Sequence, residues 1–115
     1  MPLTTFSTLP DAPELDRPRP DRLLAGNPLR QTWNCFERDG LSAGVWACEV
    51  GAWQIAFPAG KDEFFQVLEG RLAITENGGA RCEFGPGDAC VIPAGFQGVF
   101  EVLEPVRKRY VVMTR

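Results

Sequence analysis

The chain contains no histidine among its 115 residues. Imidazole is a leading protein ligand for transition metals, so this absence excludes any metal centre built on histidine. Long apolar runs are missing too: none approaches the roughly 18 residues that cross a bilayer as a helix, which argues against a membrane partner. The opening residues, "MPLTTFSTLPDAPELDRPRPDRLLAGNP", lack a basic start followed by an apolar block, so they do not resemble a secretory signal. The expected compartment is the cytoplasm. Positive charge is scarce: the formal net charge is −3, and the only cluster of basic residues is "VRKRY" near the end. A nucleic-acid surface built on phosphate neutralisation is therefore not expected. The four cysteines, Cys35, Cys48, Cys82 and Cys90, include no C-x-x-C pair, which leaves them as reduced thiols acting as small apolar residues on strands. No segment sustains a 3.6-residue apolar period over ten residues, so helix should be minor, and no repeat recurs at a fixed spacing.

What is present fits one globular unit. Apolar residues make up 44% and charged residues 23%, close to the average for soluble domains, and the length suits a single hydrophobic core. Six of the ten prolines fall within residues 1–28. Each removes a backbone donor and fixes φ, so residues 1–30 are expected to form an extended arm that neither pairs regularly nor coils. Phe6, Leu9, Leu15, Leu23 and Leu24 would let it lie over the domain or over a neighbouring subunit; the alternative is a frayed terminus.

From Trp33 onward, short apolar, aromatic and β-branched runs alternate with Gly, Pro, Asn and Asp, the pattern of an all-β domain spanning 31–115. Strands are expected near 32–38, 43–49, 52–57, 63–69, 71–76, 80–84, 88–92, 98–103 and 106–113. Asn77-Gly78 predicts a type I′ hairpin, and "GPGD" at 85–88 predicts a second tight turn. So many short strands must hide their edges, which favours a small barrel or jelly roll over an open sandwich.

Two spacings carry a resemblance. Gly51-x5-Phe57-x-Ala59-x3-Glu63-x6-Gly70 is similar to the first cupin motif, G-x5-H-x-H-x3-E-x6-G, and Gly87-x5-Pro93-x-Gly95-x2-Gly98 to the second, G-x5-P-x-G-x2-H. The stretches "GVWACEVGAW", "DEFFQVLEGRLAIT" and "PAGFQGVFEVLEPVRKRYVV" further resemble the branch of the cupin superfamily that includes (S)-ureidoglycine aminohydrolase. The resemblance implies a double-stranded β-helix, or jelly-roll barrel, that pairs into a homodimer, with Gly70 at a hairpin between strands. It also implies an inward-facing metal site, and there the chain departs from the pattern. The histidine positions hold Phe57, Ala59 and Gly98, and only Glu63 keeps its motif residue. At the same four positions the aminohydrolase takes a carboxylate, two histidines and a glutamine, none of which this chain matches. No metal and no other cofactor is therefore expected.

Strand alternation then places side chains. If Glu63 points inward, so do Phe65 and Val67; the same parity turns Phe57 inward, sets Cys90 beside Ile92, and sends Phe100 and Val102 inward after Gly98. Phe57, Ala59, Phe65, Cys90, Gly98 and Phe100 are thus the expected pocket. A lone carboxylate among apolar residues resists ionisation unless a cation or donors stabilise its charge. Lys108 and Tyr110 on the last strand can supply these, which makes Glu63, Lys108 and Tyr110 the candidate catalytic cluster. The alternative has Lys108 snorkelling to the rim while Glu63 accepts ordinary hydrogen bonds. Trp33, Trp46 and Trp53 are read either as an aromatic ligand wall or as core or interface packing. Arg107 and Arg109, on the opposite face from Lys108, are read as solvated surface. Three functions stay open: a metal-free cupin binding a small polar molecule, an aminohydrolase-like enzyme acting on a small ureido or amino compound, and a structural or assembly protein.

Overall fold

The computed structural model describes residues 2–115 and is all-β, with no helix among them. Its strands are β1 (Glu14–Asp16), β2 (Leu23–Ala25), β3 (Arg30–Arg38), β4 (Leu41–Cys48), β5 (Gly51–Ala56), β6 (Lys61–Glu76), β7 (Arg81–Phe84), β8 (Ala89–Ile92) and β9 (Gln97–Thr114). All pairings are antiparallel. The sheet runs β1-β3-β4-β9-β5-β2, and β6 joins it by pairing with β9 as well as with β7 and β8.

The centre is a long ribbon of β6 and β9, paired from Lys61↔Thr114 to Glu76↔Gly98. Two pairs of expected strands, 63–69 with 71–76 and 98–103 with 106–113, are in fact these two continuous strands, each bent in the middle. The bend falls where the register shifts between Val67 and Leu72. Gly70 makes it possible: its φ is +83°, and a methyl group there would sit 2.1 Å from the Pro105 carbonyl oxygen. A residue free of Cβ strain turns the ribbon without ending it, so Gly70 marks a bend and not a hairpin. Beyond the bend, Gln97–Val102 of β9 pairs with β5, while Val106–Met113 pairs with β4. One ribbon thus feeds both walls of the barrel.

The turns follow their residues with one exception. Gly87 has φ +90° and Asp88 N–H bonds the Gly85 carbonyl at 3.0 Å, which closes the "GPGD" turn as expected. At 76–79 only Gly78 takes positive φ, +75°, and Gly79 N–H donates to the Glu76 carbonyl at 2.8 Å. That pattern is not type I′, which needs positive φ at Asn77 as well. The type I′ dihedrals occur instead at Asp39-Gly40, φ +49° and +85°, in the two-residue link between β3 and β4.

The proline-rich segment pairs more than the sequence predicts. β1 lies against β3 and β2 against β5, each in the gap between prolines: Glu14–Asp16 between Pro13 and Pro18, Leu23–Ala25 between Pro20 and Pro28. Three residues are enough for a short ladder where no ring interrupts it. The core lies where both walls meet the ribbon. Phe65, Leu72, Val67 and Val102 are its most deeply buried large residues, packed with Trp53, Ile74, Ile92 and Phe100.

The bend yields a prediction. Gly70→Ala should lower unfolding free energy by roughly 2 kcal/mol or more, since it combines a left-handed backbone with a backbone clash, whereas Gly78→Ala, with open space around it, should cost only about 1 kcal/mol. Urea denaturation of both variants measures the difference; equal losses would mean that the bend does not depend on Gly70.

Candidate functional site

A cavity of about 480 Å³ opens on the concave side of the β1-β3-β4-β9-β6 wall. Register fixes which side chains reach it. Thr32, Trp46 and Lys108 stand in one row across β3, β4 and β9; Asn34, Gly44, Tyr110 and Phe65 form the next; Glu37, Ser42, Val112, Glu63 and Ile92 form a third. Phe57, Ile55, Trp53 and Phe100 close the other side.

Among the described residues, Lys108 is the only charged one that is buried, at 4% exposed. It donates from Nζ to Glu63 Oε2 at 2.8 Å, and the two side chains are 6% and 12% exposed. Three aromatic rings surround the ammonium, with Nζ 4.5 Å from the centroid of Phe65, 4.6 Å from Trp46 and 5.0 Å from Phe100. Ring faces are negative, so they and the carboxylate together replace the water this cation gives up. Trp53 stacks on Phe100 at 5.1 Å and Trp46 meets Phe100 edge-on at 5.7 Å, which holds the cage rigid.

Tyr110 shares this wall but serves another partner. Its hydroxyl donates to Asn34 Oδ1 at 2.7 Å; Asn34 Nδ2 and the Ser42 hydroxyl both donate to Glu37 Oε1, at 3.3 and 3.1 Å. Gly44 leaves the room for this, since a methyl group there would lie 2.9 Å from the Tyr110 hydroxyl oxygen. Burial, and then the nearby Cys35 and Glu63, push the Tyr110 phenol up to about 12, so it stays a donor across the physiological range.

The structure therefore brings Glu63 and Lys108 together and sets Tyr110 beside them on a separate chain of hydrogen bonds. Of the expected pocket residues, Phe57 and Phe100 line the cavity, and Lys61 lies over the Phe57 ring at 4.5 Å. Four others lie elsewhere. Ala59 is exposed in the turn between β5 and β6, where the chain has left the sheet and alternation no longer applies. Phe65 points inward but is 0% exposed, beneath the lysine. Cys90 packs against the core, and its burial raises the thiol pKa. Gly98 is buried against β6, its missing side chain allowing the Thr75 carbonyl to approach. Trp46 and Trp53 form the cavity wall, while Trp33 lies under the Arg107 guanidinium at 4.8 Å.

Sequence reasoning missed Glu14, Asp16, Arg30, Thr32, Asn34, Glu37 and Ser42, all of which line the cavity. Arg30, Thr32 and Asn34 have the two-residue period that would reveal them, but a polar stripe opposite Trp33 reads as the solvent face of a strand. Here that stripe faces a hollow.

The profile of the EutQ-like cupin domain matches residues 37–110. The chain belongs to this cupin family. A DUF861-family protein of unknown function from Pseudomonas syringae superposes with a TM-score of 0.76 at 25% identity, over 89% of this chain and 43% of that one. The EutQ protein of Clostridium difficile superposes at 0.65 with 22% identity, over 76% of this chain and 64% of that one. A DUF861-family protein from Thermotoga maritima reaches 0.53 at 32% identity, over 57% and 73%. The chain spans less than half of the Pseudomonas protein and under two thirds of the Clostridium one. No curated protein matches it in sequence.

A metal of the usual cupin kind does not fit these residues. Phe57, Ala59 and Gly98 offer no side-chain donor atoms, and the remaining carboxylate already faces an ammonium at 2.8 Å. A divalent ion beside Glu63 would meet that positive charge at close range.

Two predictions follow from this geometry. Glu63→Gln or Lys108→Met alone should cost about 3–5 kcal/mol by stranding a buried charge, while the double variant should recover most of the loss. Additive losses in denaturant unfolding would show that the two side chains do not interact. The second concerns Tyr110, the only tyrosine in the chain. Its folded pKa of about 12 exceeds the ordinary value of 10, so the stability it contributes is complete below pH 10 and lost as pH rises toward 12. Absorbance titration of tyrosinate should give a midpoint near 12 folded and near 10 in denaturant; a folded midpoint near 10 would contradict its burial.

Proposed function

We propose that this cupin works without a metal and binds a small polar molecule in the barrel, over the Glu63–Lys108 pair. The observation that carries this is the cation itself. A lysine 4% exposed, caged by three aromatic rings, stands at the edge of a 480 Å³ hollow whose size falls in the range of small-molecule sites. One side of the hollow is aromatic, with Trp46, Trp53, Phe57 and Phe100, and the other is polar, a division that suits a small polar molecule with an apolar face.

The likenesses of Gly44–Trp53, Asp62–Thr75 and Pro93–Val112 favour placing the chain near the ureidoglycine aminohydrolases within the superfamily. A catalytic reading draws on the same pair: a carboxylate and an ammonium 2.8 Å apart can accept and return a proton to a bound ureido or amino compound. A homodimer is part of the proposal. Its support is an outward apolar patch in which Phe64 lies between Val91 and Val111 across adjacent strands, the three being 44%, 60% and 37% exposed. Four free cysteines, one of them exposed, suit a reducing cytoplasm.

Titration of the intact protein with small carboxylates, amines and amides, followed by tryptophan emission and calorimetry, tests the binding reading. Saturable binding that Lys108→Met abolishes is the expected result, and ammonia release from a ureido compound would move the assignment to catalysis. Stoichiometric transition metal in the purified protein, or no binding by any class, would overturn it.

A further inference from the structure

The Glu63–Lys108 pair leaves specific valences open. An ammonium has three N–H donors, and Lys108 Nζ makes one hydrogen bond within the described residues, to Glu63 Oε2. Glu63 Oε1 accepts none from them, although no buried polar side-chain atom lacks a partner, so Oε1 is not sealed in the core. Both residues line the cavity. The hollow therefore presents a donor and an acceptor side by side, locked to each other and held by the aromatic cage.

Charge narrows what can meet them. Four carboxylates line the cavity against three cations, and Arg30 is already bound to Asp16 at 2.7 Å. An anion entering past Glu14 and Glu37 would be repelled, and a cation placed at Lys108 would be repelled there. A neutral group with an acceptor next to a donor satisfies both atoms at once, and a cis-amide edge has that arrangement. Shape narrows it further: Trp46, half-buried in the cavity wall with its ring centroid 4.6 Å from Nζ, offers a flat apolar surface that suits a planar ring.

We propose that the cavity recognises a neutral, planar heterocycle with a lactam or imide edge, its carbonyl accepting from Lys108 Nζ and its ring N–H donating to Glu63 Oε1. The inference rests on the binding function proposed above and names its ligand class. Lys108 and Glu63 act as specificity determinants, and the aromatic wall supplies the ring's apolar contact.

N-methylation tests the paired edge, because it removes the donor while leaving the ring and carbonyl intact. Calorimetric titration of the full chain with 2-pyridone, N-methyl-2-pyridone, benzoate and benzylamine gives separable outcomes. The inference expects 2-pyridone to bind, N-methylation to weaken it at least tenfold, and Lys108→Met to abolish it. The methylated comparison is made on the unaltered protein, so it stands even if the variant fails to fold. Equal affinity for the two pyridones would overturn the inference. So would saturation by benzoate or benzylamine with no response to 2-pyridone, a result that leaves small-molecule binding intact and removes only the amide class. Silence from all four probes and from the wider panel would remove both.

Discussion

The β6–β9 ribbon is the constraint from which the rest of the molecule follows. Glu63 and Lys108 are separated by 45 positions in sequence, and they meet because the ribbon pairs Glu63 with Val112 and Val67 with Lys108. The bend at Gly70 and Pro105 then turns the far half of both strands toward β5, which carries Trp53 over to the cage. The ion pair is thus a product of long-range register, and its geometry is only as precise as that register. Asp62 helps secure the end of the ribbon: its Oδ1 accepts from Ala94 N–H at 2.7 Å and Arg115 binds its other oxygen, interactions that lower its pKa.

Much of the architecture was legible because it depends on local chemistry. β-Branched and aromatic runs mark the strands, prolines and glycines mark the breaks, and the two motif spacings identify a cupin despite the loss of its histidines. The inward direction of Glu63, Phe65, Val67, Phe100 and Val102 needed only a period of two. Less legible was whether a glycine ends a strand or bends it. Gly70 and Gly78 both take positive φ, and only the carbonyl of Pro105, distant in sequence, makes the first a bend.

The site divides in the same way. Lys108 follows from alternation on its own strand, and its partner follows from the motif. The rim does not, because Asn34, Glu37 and Ser42 come from strands whose curvature decides whether a polar face meets solvent or a hollow. Motif position alone puts Ala59 and Gly98 in the pocket. A motif records where relatives carry ligands, and once the side chains are lost a turn or a neighbouring strand takes over the space.

Three consecutive basic residues, Arg107, Lys108 and Arg109, make the ribbon intolerant of misalignment. Only the middle one has a carboxylate and an aromatic cage waiting on the concave side. A slip of β9 by one position would drive two guanidinium groups into that interior and strand the ammonium outside, so the native alignment is selected by the large cost of every alternative.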